Sequence, residues 1–372
     1  MSGDIEIGLG KSARRGVRFD EIGIVPSRRT RDADDADLSW RIDAFDFGIP
    51  VLASPMDSVT SPVTAAEMAR LGGAGVLHLE GVWTRHDDPE PVLAAIAGAT
   101  AADAGEVIRS AYAPPVDEGR VTRRIAELKA HGETVAVAVT PQGAIRLIDT
   151  IREAEPDLLV IHGTVVSAEH VSSAADPLNL KQFVRRLEIP VIVGGCSSYQ
   201  AALHLMRTGA AGVLVGTGAG RTSSAGRVLG LAGANATSIA DARAARMRHL
   251  DETGVYVHVI ADGGMADAGD VAKAIVCGAD AVMLGGLLAS ATDAPGRGWH
   301  WGMAAAHRTL PRGDRFSVEP VGSLETVLTG PAVDATGRSN LMGALSKSMA
   351  VTGYGSLKEF QKAELMMLGG DR

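Results

Sequence analysis

Residues 256–286 read YVHVIADGGMADAGDVAKAIVCGADAVMLGG, and this stretch decides the fold. An apolar, β-branched run at Tyr256–Asp262 is followed by an Ala-rich helical pattern at Asp267–Cys277 and by a second apolar run at Ala281–Gly286. Neither run alternates polar with apolar residues, which is typical of parallel strands buried on both faces. Gly278 follows the helical pattern, where a left-handed C-terminal residue is favoured. The stretch therefore predicts a strand–helix–strand unit of a parallel sheet.

The same pattern recurs along the chain. We find eight apolar runs, at Pro50–Met56, Gly75–Leu79, Thr134–Thr140, Leu158–Gly163, Pro190–Gly195, Gly212–Gly216, Tyr256–Asp262 and Ala281–Gly286. Helical patterns are found at Pro62–Leu71, Gly119–His131, Pro141–Ala154, Asn179–Glu188, Tyr199–Thr208, Ile239–Thr253, Asp267–Cys277 and Ser339–Thr352. Eight strand-then-helix units predict an α/β fold, a single (β/α)₈ TIM barrel, and a doubly wound open sheet is the alternative.

We expect one domain over residues 1–372. The segment Trp83–Asp117 is too short for an inserted regulatory domain. The segment 287–338, after the eighth strand, is polar, irregular and rich in Gly and Pro, which predicts a lid-like or flap-like insertion within the barrel. Because the loops that follow barrel strands carry the functional groups, we expect the site at that end of the barrel.

Composition excludes several classes of protein. Apolar residues make up 46% and charged residues 22% of the 372-residue chain, which rules out a disordered chain. The net charge is −8 and aromatic residues are 4%, so a dedicated nucleic-acid binder is not expected. Two cysteines cannot form a disulfide framework or a thiolate zinc site, and no metal site is expected. Without an apolar signal core or a long apolar span, the chain is expected to be cytoplasmic, with no membrane partner.

The seventh run ends in Asp262, directly before Gly263 and Gly264. A carboxylate accepts hydrogen bonds from two hydroxyls at once, and the two glycines let a ligand approach the backbone. A tight turn in which Asp262 bonds its own backbone is the structural alternative. We favour contact with vicinal hydroxyls of a ligand.

Two further loops offer groups to an anion. Gly285 and Gly286 end the eighth run, where barrels often bind phosphate through backbone N–H groups. The sixth run continues into Gly216-Thr217-Gly218-Ala219-Gly220-Arg221-Thr222-Ser223-Ser224. This loop offers backbone donors, at Gly218 and Gly220 among others, together with three hydroxyls and a guanidinium. Ser54 and Asp57 follow the first run; they either reach the barrel mouth or belong to the start of the helix at Pro62.

These residues resemble the IMP dehydrogenase/GMP reductase family over nearly the whole chain. The resemblance is carried by SPMDSVT at 54–60 and by IADGG, GDVAKAI and GADAVMLG within 260–285, in family order and spacing. It implies a barrel that binds a purine nucleoside monophosphate (IMP, XMP or GMP), a nicotinamide cofactor (NAD or NADP) beside it, and a homotetramer. By the same resemblance, Asp262 holds the ribose hydroxyls, Gly264 and Gly285 contact the phosphate, and Ser54 and Met56 line the nucleotide pocket. A family His also stands at His78, for which a turn histidine with satisfied hydrogen bonds is the structural alternative.

The nucleophile departs from the family pattern. The family has a Cys in the loop after strand six, and Arg221 stands at that position here. It follows Gly218 and Gly220 and directly precedes Thr222. Hydride chemistry at purine C2 needs a thiolate that forms a covalent intermediate, and a guanidinium stays protonated. Cys196, at the end of strand five, is a candidate for a displaced nucleophile, whereas Cys277 is interpreted as a core residue. The family's monovalent cation site uses the carbonyls of the same loop and is therefore in doubt.

Other departures concern the cofactor and the flap. The Asp that ends strand four in the family is replaced by His162, so that His162 or Thr164 takes over the cofactor contact or the nicotinamide site is lost. Gly286 stands where the family has a small polar residue. The flap lacks the Arg-Tyr pair of IMP dehydrogenases; GMP reductases use a Thr–Glu pair, for which Thr222 with Glu319 or Glu325 are candidates.

Three functions therefore stay open. The first is an oxidoreductase of the IMP dehydrogenase type that converts IMP to XMP with NAD in purine nucleotide metabolism. The second is an NADPH-dependent GMP reductase, which is favoured by the missing Arg-Tyr pair and the missing regulatory modules. The third is a catalytically inactive nucleotide-binding or regulatory paralogue, which is favoured by Arg221.

Overall fold

The eight predicted strands form a closed parallel barrel. The computed structural model describes residues 4–173, 178–217, 220, 222–223, 225–231, 233–302 and 315–369. Because the last strand pairs with the first, the barrel prediction is confirmed and the open-sheet alternative is wrong. The barrel strands are β1 Val51–Ala53, β2 Ala74–His78, β3 Ala136–Val139, β4 Leu158–His162, β5 Val191–Cys196, β6 Gly212–Val215, β7 His258–Asp262 and β8 Ala281–Leu284.

Helices connect and cover these strands. They are α1 Pro62–Arg70, α2 Glu90–Gly98, α3 Ala104–Ala111, α4 Glu118–Lys129, α5 Pro141–Ala154, α6 Leu180–Val184, α7 Tyr199–Met206, α8 Asn235–Thr253, α9 Ala268–Cys277, α10 Leu324–Leu328, α11 Leu341–Val351 and α12 Leu357–Phe360. The predicted start of α1 is confirmed, since Ser61 caps it and Pro62 is its first residue. The segment predicted as Asn179–Glu188 is helical only over α6, and α8 begins four residues before its predicted start at Ile239.

Several predicted strands are too long at their ends. β1 ends at Ala53 although its apolar run continues to Met56, because the chain turns there and the N–H of Met56 donates to the Ser54 carbonyl at 2.7 Å. The N–H of Ser54 still donates to the Leu284 carbonyl at 2.9 Å. The end of β1 is therefore fixed beside the end of β8, which brings two of the predicted site loops together.

A hairpin closes the opposite end of the barrel. Strand Trp40–Ile42 pairs with Phe45–Phe47 in antiparallel fashion, and Ile42 is fully buried. A Cβ on Gly212, the first residue of β6, would lie 3.4 Å from Cδ1 of Ile42. Since apolar side chains fill this end, ligand access is directed to the carboxyl ends of the strands.

Short strands near the chain ends form two-stranded sheets that are separate from the barrel. Ile22–Ile24 pairs with Leu365–Met367, and Ile5–Gly8 pairs with Lys11–Ala13. Two more strands, Trp299–His300 and Phe316–Ser317, pair within the predicted insertion at 287–338. Within the described part of the chain, no helix has the length and apolar character needed to cross a bilayer.

Candidate functional site

A cavity of about 760 Å³ opens at the carboxyl ends of the barrel strands. Its described lining residues lie at the carboxyl ends of seven strands, from all but β5, and in the insertion after β8. The predicted site residues that line it are Ser54, Met56, His162, Thr164, Gly220, Thr222, Asp262, Gly264, Gly285 and Gly286. Gly218 and Arg221 lie outside the described residues.

Asp262 ends β7 and faces this cavity. Its Oδ2 lies 3.2 Å from Nε2 of His162, which ends β4. Both side chains are partly buried, with 18% of Asp262 and 27% of His162 exposed. The two residues are 100 positions apart, and the sequence assigned them to different ligands. The carboxylate therefore has a nitrogen partner at one oxygen while it keeps the acceptor capacity to bind hydroxyl groups.

The backbone around Asp262 leaves little room for side chains. A Cβ on Gly216, directly after β6, would lie 2.0 Å from the Asp262 carbonyl oxygen. Gly263 and Gly264 have φ values of 81° and 78°, a conformation that glycine adopts readily. These glycines therefore allow the ends of β6 and β7 to approach closely and keep the Asp262 loop open to a ligand.

His78 is the last residue of β2 and also lines the cavity. Its Nδ1 accepts the backbone N–H of Glu80 at 3.0 Å, so the neutral ring carries its proton on Nε2. Burial lowers the pKa of His78 to about 4, and it outweighs the opposite effect of the Glu80 carboxylate. At neutral pH, His78 is therefore an uncharged imidazole that can donate one hydrogen bond.

The low pKa of His78 makes folding stability depend on pH. Its folded pKa of about 4 lies below the ordinary value of 6.5, so the unfolded chain binds the proton first as the pH falls. Stability is therefore lost between pH 6.5 and 4, by on the order of 3 kcal/mol from this group. We expect His78→Gln to flatten this part of the stability profile in denaturant titrations. His131→Gln, at an exposed histidine, is the control and should leave the slope unchanged; an unchanged slope in His78→Gln would contradict the assignment.

Asp57 does not reach the barrel mouth. Its side chain is fully buried, and its Oδ2 accepts hydrogen bonds from the N–H of Val82 at 2.8 Å and from the hydroxyl of Tyr112 at 2.7 Å. Of the two polar residues considered after the first run, only Ser54 lines the cavity. Asp57 instead joins the loop after β1 to the loop after β2 and to the end of α3.

Neither cysteine is among the described residues that line the cavity. Cys196 is 2% exposed, and its Sγ lies 3.5 Å from the Leu214 carbonyl oxygen, to which it donates. Burial raises the pKa of Cys196 to about 12, and burial raises the pKa of Cys277 in α9 to about 12 as well. A reactive cysteine needs a lowered pKa and access to its substrate. Both thiols therefore stay protonated at neutral pH.

The insertion after β8 contributes residues that the sequence did not place. His300 lines the cavity, and its Nδ1 lies 2.9 Å from Oγ of Ser58. Arg338 also lines it and donates through Nη2 to the Glu319 carbonyl at 3.1 Å. Of the two glutamates considered for a Thr–Glu pair, Glu319 lines the cavity, whereas Glu325 lies in α10 and pairs with Arg70 at 3.4 Å.

The described side chains limit which metals and cofactors this site can hold. Across the described residues, no group of three His, Cys, Asp or Glu side chains is arranged to hold a metal ion. Asp262 and Glu319 are the carboxylates among the described cavity residues, and β4 ends in an imidazole that contacts Asp262. Besides Asp262, Glu319 is therefore the carboxylate that the described cavity residues offer to the ribose hydroxyls of a dinucleotide.

Comparisons with known proteins agree with this architecture. A family model for the IMP dehydrogenase / GMP reductase domain matches residues 16–369. An uncharacterized oxidoreductase of Mycolicibacterium smegmatis is 50% identical, covering 97% of this chain and 99% of that protein. An inosine-5'-monophosphate dehydrogenase of Korarchaeum cryptofilum is 26% identical over 75% of each chain.

A solved structure resembles the whole chain. The crystal structure of an IMP dehydrogenase/GMP reductase-like protein from Corynebacterium glutamicum has a TM-score of 0.92 and 44% sequence identity, and the match covers 98% of this chain and 97% of that one. The family model, over residues 16–369, spans the barrel together with the insertion after β8. The chain therefore belongs to the IMP dehydrogenase/GMP reductase family of oxidoreductases.

Proposed function

We propose that this protein binds a purine nucleoside monophosphate (IMP, XMP or GMP) in the cavity at the carboxyl end of the barrel. The observation that carries the proposal is Asp262, which ends β7 in an open glycine loop and faces the cavity. A carboxylate in this position can accept hydrogen bonds from both hydroxyls of a ribose. His162, at 3.2 Å, holds the carboxylate in place.

The phosphate of the nucleotide is assigned to the glycines after β7 and β8. Gly264 and Gly285 line the cavity, and a Cβ on Gly286 would meet no atom within 4 Å. Backbone N–H groups in such loops are open to an anion because no side chain covers them. Since Gly286 offers no side-chain hydroxyl, phosphate binding here depends on backbone donors.

Turnover by the thiolate route is not part of this proposal. In that route a thiolate adds to purine C2, and the adduct releases hydride or ammonia. Cys196 and Cys277 are buried with raised pKa values, and the sequence has Arg221 at the nucleophile position. We therefore propose a nucleotide-binding member of the family that has lost the thiolate chemistry of IMP dehydrogenase.

GMP reductase is the second candidate function. Thr222 and Glu319 both line the cavity, and they are the residue types that the resemblance assigns to the reductase. A GMP reductase also needs a cysteine nucleophile, and none is found among the described residues of the cavity. The homotetramer that the resemblance implies stays a prediction.

Nucleotide binding is tested by calorimetry on the parent and on Asp262→Asn. We expect the parent to bind at least one of IMP, XMP and GMP. The substitution removes charged acceptors, so it should weaken binding by about 1.5–3 kcal/mol, or roughly 10- to 150-fold. Asp251→Asn, at an exposed position of α8, is the matched control and should bind as the parent does. Equal affinities of the parent and Asp262→Asn would refute the role of Asp262.

A further inference from the structure

A two-stranded hairpin forms one wall of the cavity. Trp299 pairs with Ser317 and His300 pairs with Phe316, so the two strands of the insertion after β8 lie side by side. His300 and Phe316 both line the cavity. The position of this hairpin therefore determines the shape of the space that a ligand can occupy.

The first strand of the hairpin is tied to the start of α2. Arg297, two residues before this strand, forms an ion pair with Glu90, the first residue of α2. Arg297 has a φ of 51°, a left-handed conformation that few non-glycine residues adopt. The chain thus makes a sharp turn at the residue that contacts the helix.

The second strand is tied to the other end of the same helix. Arg315, directly before Phe316, donates to the carbonyl oxygens of Ala97 at 3.2 Å and Ala99 at 2.8 Å, and also to that of Ile96. The last carbonyls of a helix have no partner within the helix, and a cation there also interacts favourably with the helix dipole. Arg315 therefore caps the C-terminus of α2.

Arg315 also contacts the first strand. Its guanidinium carbon lies 3.6 Å from the ring centroid of Trp299, within the range of a cation–π interaction. One side chain thus joins both hairpin strands to one helix. The planar guanidinium is suited to this because it donates to several carbonyls while its face stacks on an aromatic ring.

A third contact comes from the end of α3. The indole Nε1 of Trp301 donates to the hydroxyl of Tyr112 at 3.0 Å, and that hydroxyl donates to Oδ2 of Asp57 at 2.7 Å. Trp301 and Asp57 are fully buried. This chain of hydrogen bonds fixes the inner end of the hairpin to the loop after β1.

We infer that α2 supports the hairpin that forms the cavity wall. Arg315, which links this hairpin to α2, is therefore a positioning residue for ligand binding. The helix contacts Arg297, next to the first hairpin strand, through Glu90. Its C-terminal end contacts Arg315, next to the second strand, through the carbonyls of residues 96, 97 and 99. The helix itself is not among the described residues that line the cavity. The inference rests on the proposed function for the identity of the ligand, a purine nucleoside monophosphate.

The test compares Arg315→Ala and Arg315→Lys with the parent. We expect Arg315→Ala to speed amide hydrogen exchange at residues 297–301 and 315–318, to leave exchange in the barrel strands unchanged, and to shift the fluorescence of Trp299. IMP affinity should fall about tenfold, which is within the usual range of coupling between separate sites. Arg315→Lys should restore little, because an ammonium cannot cap three carbonyls and stack on the ring together.

Arg109→Ala is the matched control. Arg109 lies on α3, the helix after α2, and within the described residues its ion pair is with the neighbouring Glu106 alone. Unchanged amide exchange at the hairpin in Arg315→Ala would contradict the supporting role of α2. Faster exchange with unchanged IMP affinity would overturn the positioning role. If the parent binds no purine nucleotide, the proposed function is wrong, and the exchange measurement still tests whether α2 supports the hairpin. Should Arg315→Ala not fold, Glu90→Gln tests the contact between Glu90 and Arg297, at the first hairpin strand, by the same measurements.

Discussion

Asp280→Ala lowers the free energy of unfolding by about 3–5 kcal/mol at neutral pH, because it leaves a buried guanidinium without its anion. Asp280 precedes β8 and is 6% exposed, and its Oδ2 lies 2.6 Å from Nη1 of Arg246 in α8, which is 2% exposed. Neither charge can be solvated in place. The loss therefore exceeds that of a surface ion pair, which is commonly below 1 kcal/mol.

The Asp280 carboxylate also joins parts of the chain that lie far apart in sequence. It accepts hydrogen bonds from the Val259 N–H at 2.8 Å, from the Tyr256 hydroxyl at 2.7 Å and from Nε2 of Gln361 at 3.3 Å. These partners belong to β7, to the segment before it and to the segment after α12. Removing the carboxylate takes the acceptor from the Val259 N–H and from the Tyr256 hydroxyl, each at an unfavourable cost, whereas Nε2 of Gln361 still donates to the Ala279 carbonyl at 2.9 Å.

Chemical denaturation at fixed protein concentration measures this effect. Asp87→Ala is the control, because Asp87 is 76% exposed and pairs with Arg120 at 2.8 Å on the surface. Burial alone would raise the pKa of Asp280, but the charges of Arg246 and Lys358 outweigh it and hold that pKa below its ordinary value of 3.8. The contribution of Asp280 is thus present above pH 4 and lost as the pH falls further. A loss of less than 1 kcal/mol in Asp280→Ala at neutral pH would contradict the assignment.

The barrel could be predicted from sequence because its signal is local and repeated. Each strand is a short apolar run next to a helical pattern, and the strands of a closed parallel sheet need no polar face. Asp262 could be proposed as a candidate site residue for the same reason, since it stands at the end of an apolar run directly before two glycines. Strand ends were less certain, because an apolar residue such as Met56 can turn away from the ladder and still pack against its neighbours.

Contacts between distant segments could not be predicted. Nothing near His162 indicates that its ring lies 3.2 Å from Asp262, 100 residues later. Asp57 stands in the motif that carries the resemblance, yet it is buried against Val82 and Tyr112 rather than exposed to a ligand. The hairpin wall depends on Arg315 reaching the end of α2, and no periodicity encodes such a contact.

The purified protein is expected to turn over IMP with NAD⁺, and GMP with NADPH, at rates about 10⁴–10⁶-fold below those of ordinary enzymes, which is the usual loss when a covalent nucleophile is absent. Absorbance at the nicotinamide band measures both reactions. The physical reason is that both thiols are protonated at neutral pH. Cys196 donates to the Leu214 carbonyl and has a pKa raised to about 12, so almost none of it is thiolate at neutral pH.

Two cysteine variants and one gain-of-function variant decide this prediction. Cys196→Ala and its control Cys277→Ala should both leave the residual rate unchanged, because neither thiol is among the described residues of the cavity. Arg221→Cys restores the residue type that the resemblance assigns to the nucleophile, and it should form a covalent adduct with a halogenated purine nucleotide, detected by mass spectrometry. A parent rate near or above about 1 s⁻¹ that Cys196→Ala abolishes would show instead that Cys196 is a displaced nucleophile. The same nucleotide site would then support hydride transfer, and the burial of Cys196 would have to be relieved when the ligand binds.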